Sequence, residues 1–271
     1  MRVPEAEISP ADLSKVPAVT LGFWIAKILA TTLGETAGAT VSMSWLGETT
    51  AQAGQNGING YLVGTGLFGL ALVLLVALQV RATRYRPALY WATIIASTTA
   101  GTTLADFADR SLGVGYAGGS LILLILVLGS LGLWKAVEGK VSSTHVVSGR
   151  TELFYWLTIT FSQTLGTALG DWAADDGGLG YLGGAALFGG AIAIVAALYF
   201  STRINRTALF WAAFILTRPL GATVGDFLDK PLAKGGLDLS RPIASACLVA
   251  VLVAVVAIAV RRGAEDRQAT A

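Results

Sequence analysis

The chain has 271 residues, of which 54% are hydrophobic and 13% are charged, and its formal net charge is +2. A soluble domain carries about 25% charged residues, and a soluble fold of this length could not hide so much apolar surface, so the composition excludes a soluble globular protein and a disordered chain. The low net charge excludes a nucleic-acid binder, and a single cysteine and a single histidine exclude a disulfide scaffold and a multi-histidine metal cage.

Apolar stretches of membrane-helix length follow one another along the chain. Residues 1–18 are polar, contain no apolar core of a cleavable signal, and predict a cytoplasmic segment. A membrane helix needs roughly 20 apolar residues, and we expect such helices at 19–43, 60–80, 88–108, 115–134, 153–174, 180–200, 208–228 and 242–260. Residues 261–271 are expected to form a short, irregular cytoplasmic tail. The prediction is an all-α integral membrane protein with one membrane domain over 19–260, in contact with the lipid bilayer.

The basic residues predict the orientation through the positive-inside rule. Most of those outside the spans lie on the side that holds both termini, whereas the opposite side carries Arg110, Lys230, Lys234 and Arg241. We therefore expect both termini in the cytoplasm and the protein in the cytoplasmic (inner) membrane. Nothing in the sequence specifies an oligomeric state.

An internal repeat links the odd-numbered spans. Its marker is a tryptophan preceded by an aromatic residue: Phe23-Trp24, Tyr90-Trp91, Tyr155-Trp156 and Phe210-Trp211. A glycine follows each tryptophan by ten residues, as Gly34, Gly101, Gly166 and Gly221. The copies cover about 19–80, 88–134, 153–200 and 208–260, and each is predicted to form a helical hairpin. Because each copy holds two spans, all four insert with the same orientation, as parallel repeats.

This pattern, most distinctly the stretch from Lys27 to Thr36, resembles a bacterial membrane protein family built from four tandem repeats. Each repeat of that family has two membrane segments and a tryptophan, and it is catalogued as a repeat of unknown function. The resemblance covers nearly the whole chain and implies the same topology, but no activity. Ala39 departs from it, because the family often carries an aspartate at that position.

Small residues stand four positions apart in every odd-numbered span. The pairs are Gly34/Gly38, Gly101/Ala105, Gly166/Gly170 and Gly221/Gly225. Membrane helices pack closely through such pairs, because lipid provides no hydrophobic drive between helices. The spacing therefore predicts that the odd-numbered helices pack against one another.

Acidic residues also recur inside these spans. An aspartate follows the tryptophan by fifteen residues in three copies, as Asp106, Asp171 and Asp226, and the first copy carries Glu35 one turn earlier on the same face. A charge near the bilayer centre costs roughly 2.5–3.5 kcal/mol, so acids at matched positions indicate a functional site. Two other interpretations are pairing of each acid with a base or a threonine, and a solvent-exposed helix end. Pairing is disfavoured because the spans contain only two bases, Lys27 and Arg218.

Threonines share the helical faces of the acids, at spacings of three, four or seven residues. Hydroxyl oxygens can coordinate a cation or hold a carboxylate in place. The expected supporting polar lining is Thr32, Thr36, Thr99, Thr102, Thr164, Thr167 and Thr223.

The two bases within the spans have different expected environments. Lys27 lies three residues after its tryptophan and is expected to snorkel to the cytoplasmic interface. Arg218 precedes Pro219, which should kink its helix or free a carbonyl. Arg218 is either the counter-ion of Asp171 or Asp226, or a contact for an anionic substrate.

These residues predict a membrane transporter of cations, such as a divalent metal like manganese, with export as one direction. Glu35, Asp106, Asp171 and Asp226 are its expected ligands, since hard cations prefer oxygen donors. The metal is then a substrate, and no resident cofactor is expected. The alternative is a proton-coupled carrier of a small organic solute.

Two further functions are less favoured. Asp171 and Asp226 lack the first glycine of the Gly-x-Gly-Asp motif of intramembrane aspartyl proteases, so we expect no catalytic residues and no enzyme. A purely structural membrane protein would not explain costly acids at matched positions.

Overall fold

Eight long helices make up the part of the chain that the computed structural model describes, which is residues 14–47, 59–142 and 146–269, with side chains as far as residue 262. They are α1 (Leu21–Ala39), α2 (Gly60–Arg81), α3 (Pro87–Asp106), α4 (Tyr116–Glu138), α5 (Gly149–Asp171), α6 (Gly180–Ser201), α7 (Arg206–Asp229) and α8 (Arg241–Ala269). These residues contain no strand, so the all-α prediction is confirmed. The predicted N-terminal segment lies outside them as far as residue 13.

The helix ends follow ordinary capping chemistry. The side chains of Thr20, Asn59, Ser148 and Asn205 accept backbone N–H groups in the first turns of α1, α2, α5 and α7, which satisfies donors that have no partner within the helix. The prediction of an irregular tail from residue 261 is wrong, because α8 continues to Ala269. Pro219 lies inside α7, which runs without interruption from Arg206 to Asp229.

Helices α1, α3 and α5 each end in a wider, π-helical turn. These segments are Thr40–Trp45, Phe107–Ser111 and Trp172–Asp176, directly after α1, α3 and α5. In α3 and α5 the change of winding begins right after Asp106 and Asp171. Single π-helical turns are rare and frequently mark functional sites.

The odd-numbered helices α1, α3, α5 and α7 form a closed inner ring in which each packs against two neighbours. Their amino-terminal ends meet in one aromatic cluster that includes Phe23, Tyr90, Tyr155 and Phe210. Their carboxy-terminal ends are joined by ion pairs such as that between Arg110 and Asp171. The four helices therefore run in the same direction within the ring.

Glycines at equivalent positions of the four copies explain how closely these helices approach. A Cβ atom added to Gly34 would lie 2.1 Å from Thr98 Oγ1, and one added to Gly221 would lie 2.3 Å from Thr31 Oγ1. The equivalent Gly101 and Gly166 contact α5 and α7 in the same way. Each of these glycines thus admits the next helix of the ring, as the spacing of small residues predicts.

The even-numbered helices form an outer layer that is shifted by one repeat. Helix α2 packs on α3, α4 on α5, α6 on α7, and α8 returns to α1. The predicted hairpin is corrected accordingly: the second helix of each repeat packs mainly on the first helix of the following repeat. The physical reason is that each inner helix already packs its small-residue faces against two inner neighbours. The second helix of the same repeat therefore packs on the inner helix of the next repeat.

Five of the described helices, α2, α4, α6, α7 and α8, are long and apolar enough to cross a membrane. The four outer ones are largely exposed, with 11% to 22% of their most apolar window buried, compared with 67% for α7. Large apolar side chains such as Leu70, Val73 and Ile125 cover their outer surface. A polypeptide with such a surface is typical of a membrane-embedded protein.

The segment before α1 is attached to the bundle by a buried ion pair. Lys15 Nζ donates to Glu152 Oε1 at 2.5 Å and to the Val80 carbonyl at 3.2 Å, and the Lys15 N–H donates to the Val146 carbonyl. A hydrogen bond to a charged group contributes about 1.5–3 kcal/mol.

We therefore expect Glu152→Gln to increase hydrogen exchange at the Lys15 amide by about tenfold or more, because the pair that holds this segment is lost. Mass-spectrometric exchange on detergent-purified protein measures this. Glu138→Gln is the matched control, since Glu138 pairs with the exposed Arg150 at 3.9 Å. Equal exchange in both variants would contradict this role.

Candidate functional site

The four copies place equivalent residues at the same levels of the inner ring. Counted from the tryptophan of each copy, we name five tiers by their characteristic residue. The aromatic tier is Phe23, Tyr90, Tyr155 and Phe210; the lysine tier is Lys27, Ile94, Ile159 and Phe214; the arginine tier is Thr31, Thr98, Gln163 and Arg218; the glutamate tier is Glu35, Thr102, Thr167 and Ala222; and the aspartate tier is Ala39, Asp106, Asp171 and Asp226. Every one of these side chains is buried.

The aromatic tier closes the amino-terminal end of the ring. Each of its rings contacts the tryptophan of a neighbouring copy; for example, Phe23 lies 5.9 Å from Trp91, and Tyr155 lies 5.9 Å from Trp211, measured between ring centroids. The hydroxyls of Tyr90 and Tyr155 are hydrogen-bonded at 2.7 Å. Packed aromatic pairs of this kind contribute beyond their buried area, so this tier is a dense plug.

Lys27 lies directly above this plug and does not reach the interface. Its side chain is fully buried, and Nζ sits 4.1 Å from the centroid of the Phe214 ring. Nζ has no hydrogen-bond partner among the described residues. The expectation that Lys27 snorkels was wrong, because the aromatic tier lies between it and the amino-terminal end of the bundle.

Arg218 is the central contact of the ring. It is fully buried, and its Nη2 donates to Glu35 Oε2 at 3.0 Å, to Thr102 Oγ1 at 2.6 Å and to Thr167 Oγ1. These acceptors lie on α1, α3 and α5, while Arg218 itself lies on α7. One nitrogen therefore connects all four inner helices. The predicted pairing of Arg218 with Asp171 or Asp226 is corrected, because its ion pair is with Glu35.

The three aspartates of the aspartate tier are paired with Arg110 and Lys230, which follow Asp106 and Asp226 by one helical turn. Arg110 lies 3.0 Å from Asp106 and 3.1 Å from Asp171, and so bridges α3 and α5. Lys230 Nζ lies 3.2 Å from Asp226. The count of only two bases was therefore misleading, because it treated Arg110 and Lys230 as loop residues. Their spacing of four from Asp106 and Asp226 is the sequence signal that could have identified them.

The charges at this end of the ring also affect neighbouring groups. Burial, and after it the negative charge of Asp106, raise the pKa of Asp109 to about 6. Burial alone would lower the pKa of Lys230, but the Asp226 carboxylate outweighs it, and the pKa is raised. The base thus stays protonated beside its carboxylate.

The predicted threonines differ in their hydrogen-bond partners. Thr102 and Thr167 contact Arg218 directly, as described above. The hydroxyls of Thr32, Thr99, Thr164 and Thr223 donate to carbonyls of their own helices, and Thr36 accepts a hydrogen bond from Ser245 of α8 at 2.9 Å.

Together these side chains form a column of charged groups inside the bundle. We define the charged column as Lys27, Glu35, Asp106, Arg110, Asp171, Arg218, Asp226 and Lys230. Each of its four carboxylates has a guanidinium or ammonium nitrogen within 3.2 Å. Over the part of the chain that is described, no group of three or more His, Cys, Asp or Glu side chains is arranged to hold a metal ion.

Comparison with known families agrees with the repeat. A family model described as Repeat of Unknown Function (DUF347) matches residues 22–85, 89–140, 154–205 and 209–264. These four segments reproduce the four predicted copies and cover most of the chain. The comparisons with curated proteins and with solved structures gave no match.

Proposed function

The chain belongs to the family of the Repeat of Unknown Function (DUF347), and from its charged column we propose that it is a proton-coupled membrane carrier of a small organic solute. The observation that carries this proposal is the central position of Arg218. A fully buried guanidinium that contacts α1, α3 and α5 through one nitrogen is costly inside a membrane protein, and such groups are usually functional.

We propose that all eight helices cross the cytoplasmic membrane with both termini on the cytoplasmic side. Helices α1, α3 and α5 have 19, 20 and 23 residues, enough to span a bilayer at 1.5 Å per residue. They run beside α7 and in the same direction. Their polar faces are turned into the ring, and this lowers their mean hydropathy without exposing charge to lipid.

The ion pairs support exchange of a proton for a solute. Protonation of Glu35 removes the negative charge that faces Arg218 Nη2, and the guanidinium becomes available to a carboxylate of the solute. Loss of the proton restores the original pair and releases the solute. Arg110 is paired with Asp106 and Asp171 toward the carboxy-terminal ends of the inner helices. Protonation of either aspartate would free Arg110 for a carboxylate in the same way.

The test is transport in proteoliposomes with a pH-sensitive dye inside. We expect at least one member of a panel of small organic acids, amino acids and amines to drive proton movement that vesicles without protein do not show. Glu35→Gln should reduce this rate at least tenfold, because it removes the group that exchanges the proton (about 1.4 kcal/mol per factor of ten). Glu138→Gln, outside the column, should retain it. Absence of proton movement with every solute, in protein that still unfolds cooperatively, would overturn the proposal.

A cation transporter is the second candidate, and one observation favours it. Asp106, Asp171 and Asp226 occupy equivalent positions, and Asp106 Oδ2 is buried without a hydrogen-bond partner among the described residues. A divalent cation could replace Arg110 as the bridge between Asp106 and Asp171. Uptake of Mn²⁺ or Mg²⁺ into the same vesicles, lost in Asp171→Asn but unaffected by Arg218→Gln, would favour this function over the first.

A further inference from the structure

Three fully buried side chains in adjacent tiers carry polar atoms that the described part of the protein does not satisfy. They are Nζ of Lys27, the amide oxygen and nitrogen of Gln163, and Nε and Nη1 of Arg218. Leaving a buried polar group without a hydrogen-bond partner destabilises the folded state, and more so when the group is charged. Such groups usually have a bound water, ion or ligand.

These side chains lie at two adjacent levels of the ring interior. Lys27 of α1 rests on Phe214 of α7, which precedes Arg218 by one turn, or about 6 Å along the helix. Arg218 packs against α5, since a Cβ atom added to Gly166 would lie 2.2 Å from Arg218 Cγ. Gln163 of α5 shares the arginine tier with Arg218, and its Cβ would lie 3.2 Å from a Cβ atom added to Gly101 of α3. The three side chains thus border one region of the ring interior, at the lysine and arginine tiers.

The formal charge of these side chains is positive. Lys27 makes no ion pair with any described acid, and Glu35 is the only carboxylate paired with Arg218 among them. Lys27, Arg218 and Glu35 together have a formal charge of +1, and the unsatisfied nitrogens are donors. One monovalent anion would neutralise the charge and accept these hydrogen bonds.

The surroundings limit the size of that anion. Ile94 and Ile159 lie at the level of Lys27, and the hydrogen-bonded tyrosine pair lies one turn below. This end of the region is apolar and closed. It suits a halide or a carboxylate with a short apolar chain, and it disfavours a dianion such as phosphate.

We propose that Lys27, Gln163 and Arg218 form a binding site for a small monovalent anion. The assignment rests on the proposed function in so far as this anion is the solute that is carried. It deepens that function by naming a substrate class. Binding itself does not depend on transport and can be measured on the purified protein.

The experiment is a thermal-stability titration of the detergent-purified full chain in gluconate buffer at constant ionic strength. Chloride, formate, acetate and phosphate are the probes. We expect a saturable rise in Tm with chloride or with a carboxylate, because a ligand that binds only the folded state stabilises it. The halide and carboxylate arms distinguish an inorganic anion from an organic acid.

The variants separate a specific site from a general salt effect. Lys27→Met and Gln163→Leu should each weaken the apparent affinity at least tenfold. Lys234→Met makes the same chemical change at an exposed position and should leave the affinity unchanged. An identical Tm response in Lys27→Met, Gln163→Leu and the parent protein would overturn the site, as would no saturable response to any anion in the parent. If anion binding persists while transport fails, the site stands and the carrier proposal falls. If transport occurs without anion binding, the carrier proposal stands and the site falls.

Discussion

Arg218→Met is expected to destabilise the protein by about 3–5 kcal/mol, which is the cost of breaking a buried ion pair from one side. The substitution keeps a long side chain but leaves the Glu35 carboxylate buried at 3.0 Å from the lost nitrogen, without its base. It also removes the donor to Thr102 and Thr167, and so a group that joins all four inner helices. Thermal unfolding in detergent measures the effect.

A double variant shows whether the lost ion pair is the cause. Glu35→Gln combined with Arg218→Met removes both charges, and its Tm should lie closer to the parent than that of Arg218→Met alone. Arg206→Met is the matched control at the exposed start of the same helix. If the double variant is no more stable than Arg218→Met, the damage comes from lost packing rather than from an unpaired carboxylate.

Gly34→Ala is expected to separate α1 from α3. The new Cβ atom would lie 2.1 Å from Thr98 Oγ1, 2.4 Å from Thr98 Cβ and 3.0 Å from the Thr98 backbone carbon. Rotation of the threonine cannot relieve contacts with its Cβ and backbone, so the helices must move apart. Overpacking of this kind costs about 1–3 kcal/mol and occasionally more. We expect a Tm well below the parent and weaker binding of Arg218 to Thr102, which lies one turn further along α3.

The same substitution in the outer layer should have the opposite sign. A Cβ atom added to Gly66 of α2 meets no atom within 4 Å. Alanine in an open helical position is typically favoured over glycine by about 0.5–1 kcal/mol, so Gly66→Ala should keep or raise the Tm. A fall in Tm of similar size in both variants would show that the close approach of α1 and α3 is not what Gly34 provides.

The helices and the repeat could be predicted because they depend on local composition and on spacing. A long apolar run with few charges specifies a helix wherever it stands, and the tryptophan-to-glycine spacing specifies which faces approach one another. The match of the family model to four segments confirms the copies. The constant spacing of Asp106, Asp171 and Asp226 from the tryptophan, with Glu35 one turn earlier on the same face, predicts all four acids in the same interior.

The partners of the charges could not be predicted in the same way. Which base meets Glu35 depends on how helices distant in sequence are arranged around the ring, and Arg218 lies 183 residues away from it. The apolar run ends before Arg110, which predicts a loop there, whereas Arg110 lies in the π-helical turn after Asp106 and reaches Asp171 of α5. Gln163 gave no signal by itself; its importance appears only when the four copies are aligned and it shares a level with Arg218.

The one-repeat shift of the outer helices sets an order for assembly. Helix α1 precedes α7 and α8 in the chain, and these two helices cover two of its sides. Glu35 of α1 is therefore made well before Arg218 of α7, the base that it pairs with. A chain truncated after the third repeat would leave these two sides of α1 uncovered, so we regard completion of the ring, rather than insertion of any single helix, as the step that commits the protein to its folded state.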